Sequence, residues 1–371
     1  MRVLALTLAI LATPALADLP ADCRAFPTAS CLLTEAEALI TVAPAAHLWL
    51  KLAVAQGAID LDPSAALAAA HVDIARIASP DFQGQSPDYE IAALAQLGQF
   101  DAAFQALATR PADSGDDHDV AYLTAGLVFQ LAKAGFWAEA QSTALTISFI
   151  GARNGALVSI AEQQAQAGDI AAAQKIIPLL DYTDPFFADL IAIAIAGGQA
   201  RLGDLDAALA TSAAIPRPGR QAEARIAIAL ALFELGQTDA AQVVFTDIAA
   251  QLPHITDDNE QSRAANVLIN ALLLTGALDR AEALWDQYQT PTERMFRGAL
   301  VEAMARHGDK VIALKMLAEL QNTDSSRYTP VNVAVAFAEG GDLDSAMTLV
   351  LGITTPALQA EALIGIAQVL P

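Results

Sequence analysis

From Thr34 onward, apolar residues recur at three- and four-residue intervals, and the two-residue alternation of strands is almost absent. The pattern predicts an all-α chain. Its segments fall in twos: 44–56 with 62–78, 86–97 with 100–109, 118–134 with 137–149, 152–167 with 169–180, and 185–202 with 205–214. The series continues with 218–235 and 238–252, 257–275 and 278–288, 291–307 and 309–320, 328–340 and 343–352. A last helix over 356–370 has no following partner. Thr34 and Glu37 have the spacing of a capping box at the start of the first helical pattern.

The punctuation between the segments repeats. Gly98, Gly135, Gly168, Gly203, Gly236, Gly276, Gly308 and Gly341 each close a first helix, at intervals of 32 to 40 residues. Five positions after each comes an alanine: Ala103, Ala140, Ala173, Ala208, Ala241, Ala281, Ala313 and Ala346. A weaker ninth member is Gly57, followed after extra residues by Ala65. Glycine tolerates the left-handed conformation that ends a helix. Aspartates one position later (Asp169, Asp204, Asp309, Asp342) or three later (Asp101, Asp206, Asp239, Asp279, Asp344) suit the free N–H groups opening the next helix. The small alanine lets two helices cross closely. A period near 34 residues marks stacked helix pairs.

This Gly-to-Ala spacing resembles the tetratricopeptide repeat and its Sel1-like relatives. The resemblance covers residues 44–371 and implies a right-handed α-solenoid of antiparallel pairs, about nine of them plus the terminal helix. It also implies a concave face lined by the first helix of each pair, used to bind protein or peptide. Counting back from each glycine to that face selects Arg263, Asn266, Asn270, Glu302, Arg306, Glu223, Glu234, Arg201 and Tyr122, together with Glu162 and Lys133. Asn266 and Asn270, one turn apart, have the donors and acceptors to hold an extended backbone. Leu273, Ile193 and Val335 fall in the same register and make the face partly apolar.

Composition refines the picture. Residues 1–17 read as a secretory signal: Arg2, an apolar run, Pro14 and an Ala15-Leu16-Ala17 cleavage site. A lead-in over 18–43 holds Cys23 and Cys31, expected to form one short-loop disulfide in the oxidising compartment so implied. A periplasmic or secreted location follows. An uncharged run of 15 residues between Arg263 and Asp279 is too short and too polar to span a bilayer. The chain carries 20 Lys+Arg against 42 Asp+Glu, net −22, or −23 once Arg2 is removed. That field repels nucleic acid and anionic membranes and favours a basic partner.

No catalytic motif is present. His47, His71, His118, His254 and His307 are spread along the chain with no two at i, i+4 spacing, and no cofactor or metal site is expected. The acidic loop 113–119 lacks the spacing of a calcium-binding loop. The sequence points to a binding scaffold rather than an enzyme. A cell-envelope glycan enzyme or accessory on a helical array, or a self-associating spacer, are the alternatives. The apolar last helix should dock on the repeat before it or mediate a weak homodimer.

Overall fold

The computed structural model describes residues 23, 27–43, 45–76, 80–109, 117–181, 185–290, 292–321 and 328–371. The signal segment and residues 113–116 of the acidic loop lie outside them. Twenty α-helices are described, with short 3₁₀ turns over Ile177–Leu179 and Leu252–His254, and the described residues contain no strand.

Ten helices form one layer: α2 (Ala46–Ala58), α4 (Pro80–Gln96), α6 (Asp117–Lys133), α8 (Ile150–Gln166), α10 (Phe186–Arg201), α12 (Pro218–Glu234), α14 (Asp258–Leu274), α16 (Glu293–Arg306), α18 (Thr329–Glu339) and α20 (Pro356–Val369). Each packs on the next. The other ten form a second layer: α3 (Ser64–Arg76), α5 (Phe100–Ala108), α7 (Trp137–Ala144), α9 (Ile170–Ile176), α11 (Leu205–Ala213), α13 (Thr238–Gln251), α15 (Leu278–Tyr288), α17 (Lys310–Gln321), α19 (Leu343–Gly352) and α1 (Ala29–Val42). Each of α3 to α19 in this set covers the first-layer helix that precedes it. The second-layer helices make no comparable contact with one another.

The circuit of contacts closes. The last first-layer helix, α20, packs on the first, α2, and α1 covers α20 as its second-layer partner. A single core cluster joins Leu32, Leu33 and Ile40 of α1 and Leu48 and Leu52 of α2 to Phe337 of α18 and Leu363, Ile364 and Ile366 of α20. The sequence of α1 explains its role. Leu32, Leu33, Ala36, Leu39 and Ile40 make one buried stripe, and Glu35 and Glu37 lie off it. α20 is instead buried nearly all round, because α18, α19, α1 and α2 surround it.

Three details differ from the sequence reading. α1 begins at Ala29, where Thr28 Oγ1 accepts from Cys31 N, so Thr34 is not the cap; its hydroxyl donates to Ser30 O. Much of the lead-in is therefore helix, with the Cys23–Cys31 disulfide at its start. The weak ninth joint takes its left-handed residue at Asp60 (φ 59°) rather than Gly57, and buries Ala66 while Ala65 stays exposed. Of the two expectations for the last helix, docking on the repeat before it is what the contacts show, and its Leu363 is 1% exposed beneath this chain's own helices.

The other eight joints follow the pattern. All eight glycines have positive φ, from 73° to 90°. The bonding is that of a Schellman end: at Gly203 the amide donates to Ala200 O and the next amide, of Asp204, reaches back to Gln199 O. Asp169, Asp204 and Asp342 cap the following helix by accepting from Ala172, Ala207 and Ser345 N. The aspartates three places after the glycine sit inside the first turn instead. The eight paired alanines are each 0% exposed.

Candidate functional site

The residues counted back from the glycines do lie on first-layer helices, but most are joined to a neighbour. Arg201 Nε donates to Glu234 Oε2 at 2.7 Å, and Arg306 Nε to Glu339 Oε2 at 2.7 Å. Asn332 Nδ2 donates to Glu302 Oε1 at 3.0 Å. Arg263 Nε donates to Glu223 Oε1 at 2.7 Å, and the same carboxylate accepts from Arg220 Nη1 at 2.5 Å. Each of these bonds except Arg220–Glu223 links adjacent first-layer helices. The charged groups thus brace the layer where a freely available groove was expected.

The Glu223 pairing is the most deeply set. Arg220 and Glu223 are both buried, and the Arg220 guanidinium lies 4.6 Å from the Phe186 ring centroid. Arg217 beside it donates to Asp189 Oδ2 at 2.7 Å. Buried charges need such partners, since an unpaired one is costly to desolvate.

Asn266 is half-buried and Asn270 exposed on α14; the Asn266 Oδ1 is buried without a protein partner. Tyr122 is exposed on α6, its ring 5.8 Å from that of Phe149. Lys133 lines a cavity of about 1050 Å³ at the turn ends of α2, α4 and α6, which Gln368 also borders.

Two smaller cavities open on the first-layer face. One of about 550 Å³ lies at the seam where α20 meets α2, lined by His47, Lys51, Tyr89, Tyr328 and Glu361 among others. Lys51 pairs with Glu361 there. Burial, and after it the Lys51 charge, hold the His47 imidazole below the usual histidine range, against the opposing pull of Glu361. Sequence reasoning missed this group because closure brings it together; the only signal was an apolar last helix in want of a cover.

The other, of about 270 Å³, is built from four successive first-layer helices and no second-layer residue. Leu190, Ile193 and Ala194 of α10, Ile226, Ala227 and Leu230 of α12, and Val267 of α14 form apolar walls. Glu162 of α8 stands at one side, with Arg201 and Glu223 also lining it. Burial pushes the Glu162 carboxyl above the usual glutamate range. Ile193, which fell in the register as an apolar position, is therefore a wall of this cavity.

Among the described residues, no three His, Cys, Asp or Glu side chains cluster as a metal site would require, and no helix is long and apolar enough to cross a membrane. No family model and no curated protein matches this chain.

Proposed function

We propose that this protein is an exported scaffold that binds a peptide segment on the face of its first helical layer. It is read as a tetratricopeptide-like array of antiparallel pairs with the right-handed course of that family, brought round until its ends meet. The cleaved signal and the disulfide support an oxidising compartment outside the cytoplasm. The observation that carries the reading is the unbroken first layer, in which each helix touches the next while the second-layer helices stand apart. A layer whose members touch is the inner side of a curved array.

The dimensions limit the ligand. Ten helices at about 8–10 Å spacing give a circumference of about 90 Å. Allowing about 5 Å for the helix radius leaves an opening of about 20 Å. That admits an extended chain or a single helix and excludes a folded domain. The absence of any catalytic motif favours binding over chemistry.

A photo-crosslinker placed at exposed Asn270 on α14, with a control at exposed Val243 on α13, tests the proposal. Unfolded proteins and extended peptides should give adducts from the Asn270 site and none from Val243. Equal labelling at both sites, or labelling from Val243 alone, would refute it.

A second reading, a holder of cell-envelope glycan strands, draws on the closed circuit and on the exposed Tyr89 and Tyr328 rings at the seam cavity. A glycan strand is also thin enough to enter. Crosslinking from Tyr89 to purified glycan but not to peptide would favour it.

A further inference from the structure

We propose that the cavity between α8, α10, α12 and α14 is a specificity pocket for a single lysine side chain of the bound segment, whose ammonium is held by Glu162. The proposal rests on the peptide-binding reading and names what the peptide must contain.

Three features of the cavity select this occupant. The first is size. About 270 Å³ lies below the usual range for whole small-molecule ligands and suits one long side chain. The second is the wall. Leu190, Ile193, Ala194, Ile226, Ala227, Leu230 and Val267 offer an apolar channel, which fits the four-carbon stem of a lysine. An acidic or short polar side chain would leave that wall uncovered.

The third is charge. Glu223 is already engaged by two arginines, Arg220 and Arg263, and Arg201 by Glu234. Among the charged groups that line the cavity, Glu162 alone has no such ion pair. A carboxylate with its water partly stripped away gains most from a cation, through charge-assisted hydrogen bonds. The protein's net charge of −22 draws the same kind of partner. Lysine fits better than arginine, because its compact ammonium ends a flexible stem where a guanidinium needs a wider, planar seat.

The test uses blocked pentapeptides of alanine with one central residue: lysine, Nε-acetyl-lysine or norleucine. Binding to the full mature protein is read by calorimetry, with Glu162→Gln and the cavity-filling Ala194→Leu as variants. The lysine peptide should bind at least tenfold more tightly than either analogue. Glu162→Gln should erase that preference while raising Tm at pH 7, and Ala194→Leu should weaken lysine and norleucine peptides together. If Glu162→Gln leaves the lysine preference intact, or the three peptides bind alike, the pocket assignment is overturned and the peptide-binding reading survives. If none of the three binds and Asn270 gives no peptide adducts, both fall.

Discussion

Lys51 on α2 and Glu361 on α20 form an ion pair across 310 residues of sequence. The pair sits at the rim of the seam cavity, beside His47. Below it the first and last described helices, α1 and α2 with α18 and α20, share one apolar core. The ion pair marks the seam, and the core supplies its strength, since a half-exposed pair contributes about 1 kcal/mol at most.

Breaking the seam should therefore loosen both ends at once. Leu363→Glu would place a charge among buried Leu, Ile and Ala side chains, at a cost of about 3–5 kcal/mol. Hydrogen exchange should speed up in α1 and α2 as well as in α20. Loss of protection confined to α20 would mean that the ends fold independently.

The disulfide secures the start of α1. Cys23 is buried at 1% exposure and the bond closes a sequence separation of 8. Reduction should cost about 2–3 kcal/mol by loop entropy. The loss should be read in urea melts with and without reductant, and a Cys23→Ser/Cys31→Ser variant should match the reduced protein. Identical midpoints with and without reductant would count against this role.

Two glycines should respond to alanine for different reasons. Gly203 has φ 81° and open space around it, so Gly203→Ala costs about 1–2 kcal/mol of backbone strain alone. Gly198 lies inside α10, where alanine ordinarily gains about 1 kcal/mol. Its Cβ, however, would come 2.5 Å from the Ala165 carbonyl oxygen of α8. Overpacking costs about 1–3 kcal/mol, so the clash wins and the sign reverses. Ala208→Leu should cost a similar amount, because Ala208 is 0% exposed at a helix crossing. Thermal melts decide all three.

Two carboxylates should give opposite pH dependences. Burial raises the Glu162 pKa, so its contribution to stability is full below the unfolded value of about 4 and is lost as pH rises through the folded value. Arg201 and Glu223 share its cavity and are themselves paired. Glu162→Gln should raise Tm at pH 7, with the gain fading in acid. Asp342 behaves the other way. Its side-chain hydrogen bond with Ser345, with the nearby Lys310 charge as a lesser cause, lowers its pKa, so its stabilisation is present above about pH 4 and lost as pH falls further. Asp342→Ala should cost about 1 kcal/mol at pH 7, the worth of a helix cap, and less in acid.

The helical segments and their joints were legible because each rests on local physics. A Gly at positive φ, an Asp at the cap and an Ala at the crossing leave their mark within six residues, as Gly203, Asp204 and Ala208 do. Helix starts were less legible where the cap was weak. Thr28 was overlooked because Thr34 and Glu37 imitate a capping box inside the same helix. The candidate face was half legible. The register found Arg201, Glu223 and Glu162, yet it gave no hint that Arg201 binds Glu234 or that Glu223 is held by two arginines. Those bonds depend on the offset between neighbouring helices, which spacing along one chain does not encode. The seam group of His47, Lys51, Tyr89, Tyr328 and Glu361 was illegible, since residues so far apart in sequence meet only through closure.

That closure gives the number of helix pairs a meaning it lacks in an open array. An open stack gains or loses a pair and changes only its length. Here, deleting the 33 residues from Gly203 to Leu235 would leave α1 and α20 about one helix spacing out of reach, and the shared core of both would face water. The same arrangement makes the choice of first residue arbitrary. A linker from Pro371 to Asp18, which keeps Cys23 and its disulfide, with new termini cut in the exposed turn at Gln237, should preserve every helix contact across the old seam while moving the free ends to another joint.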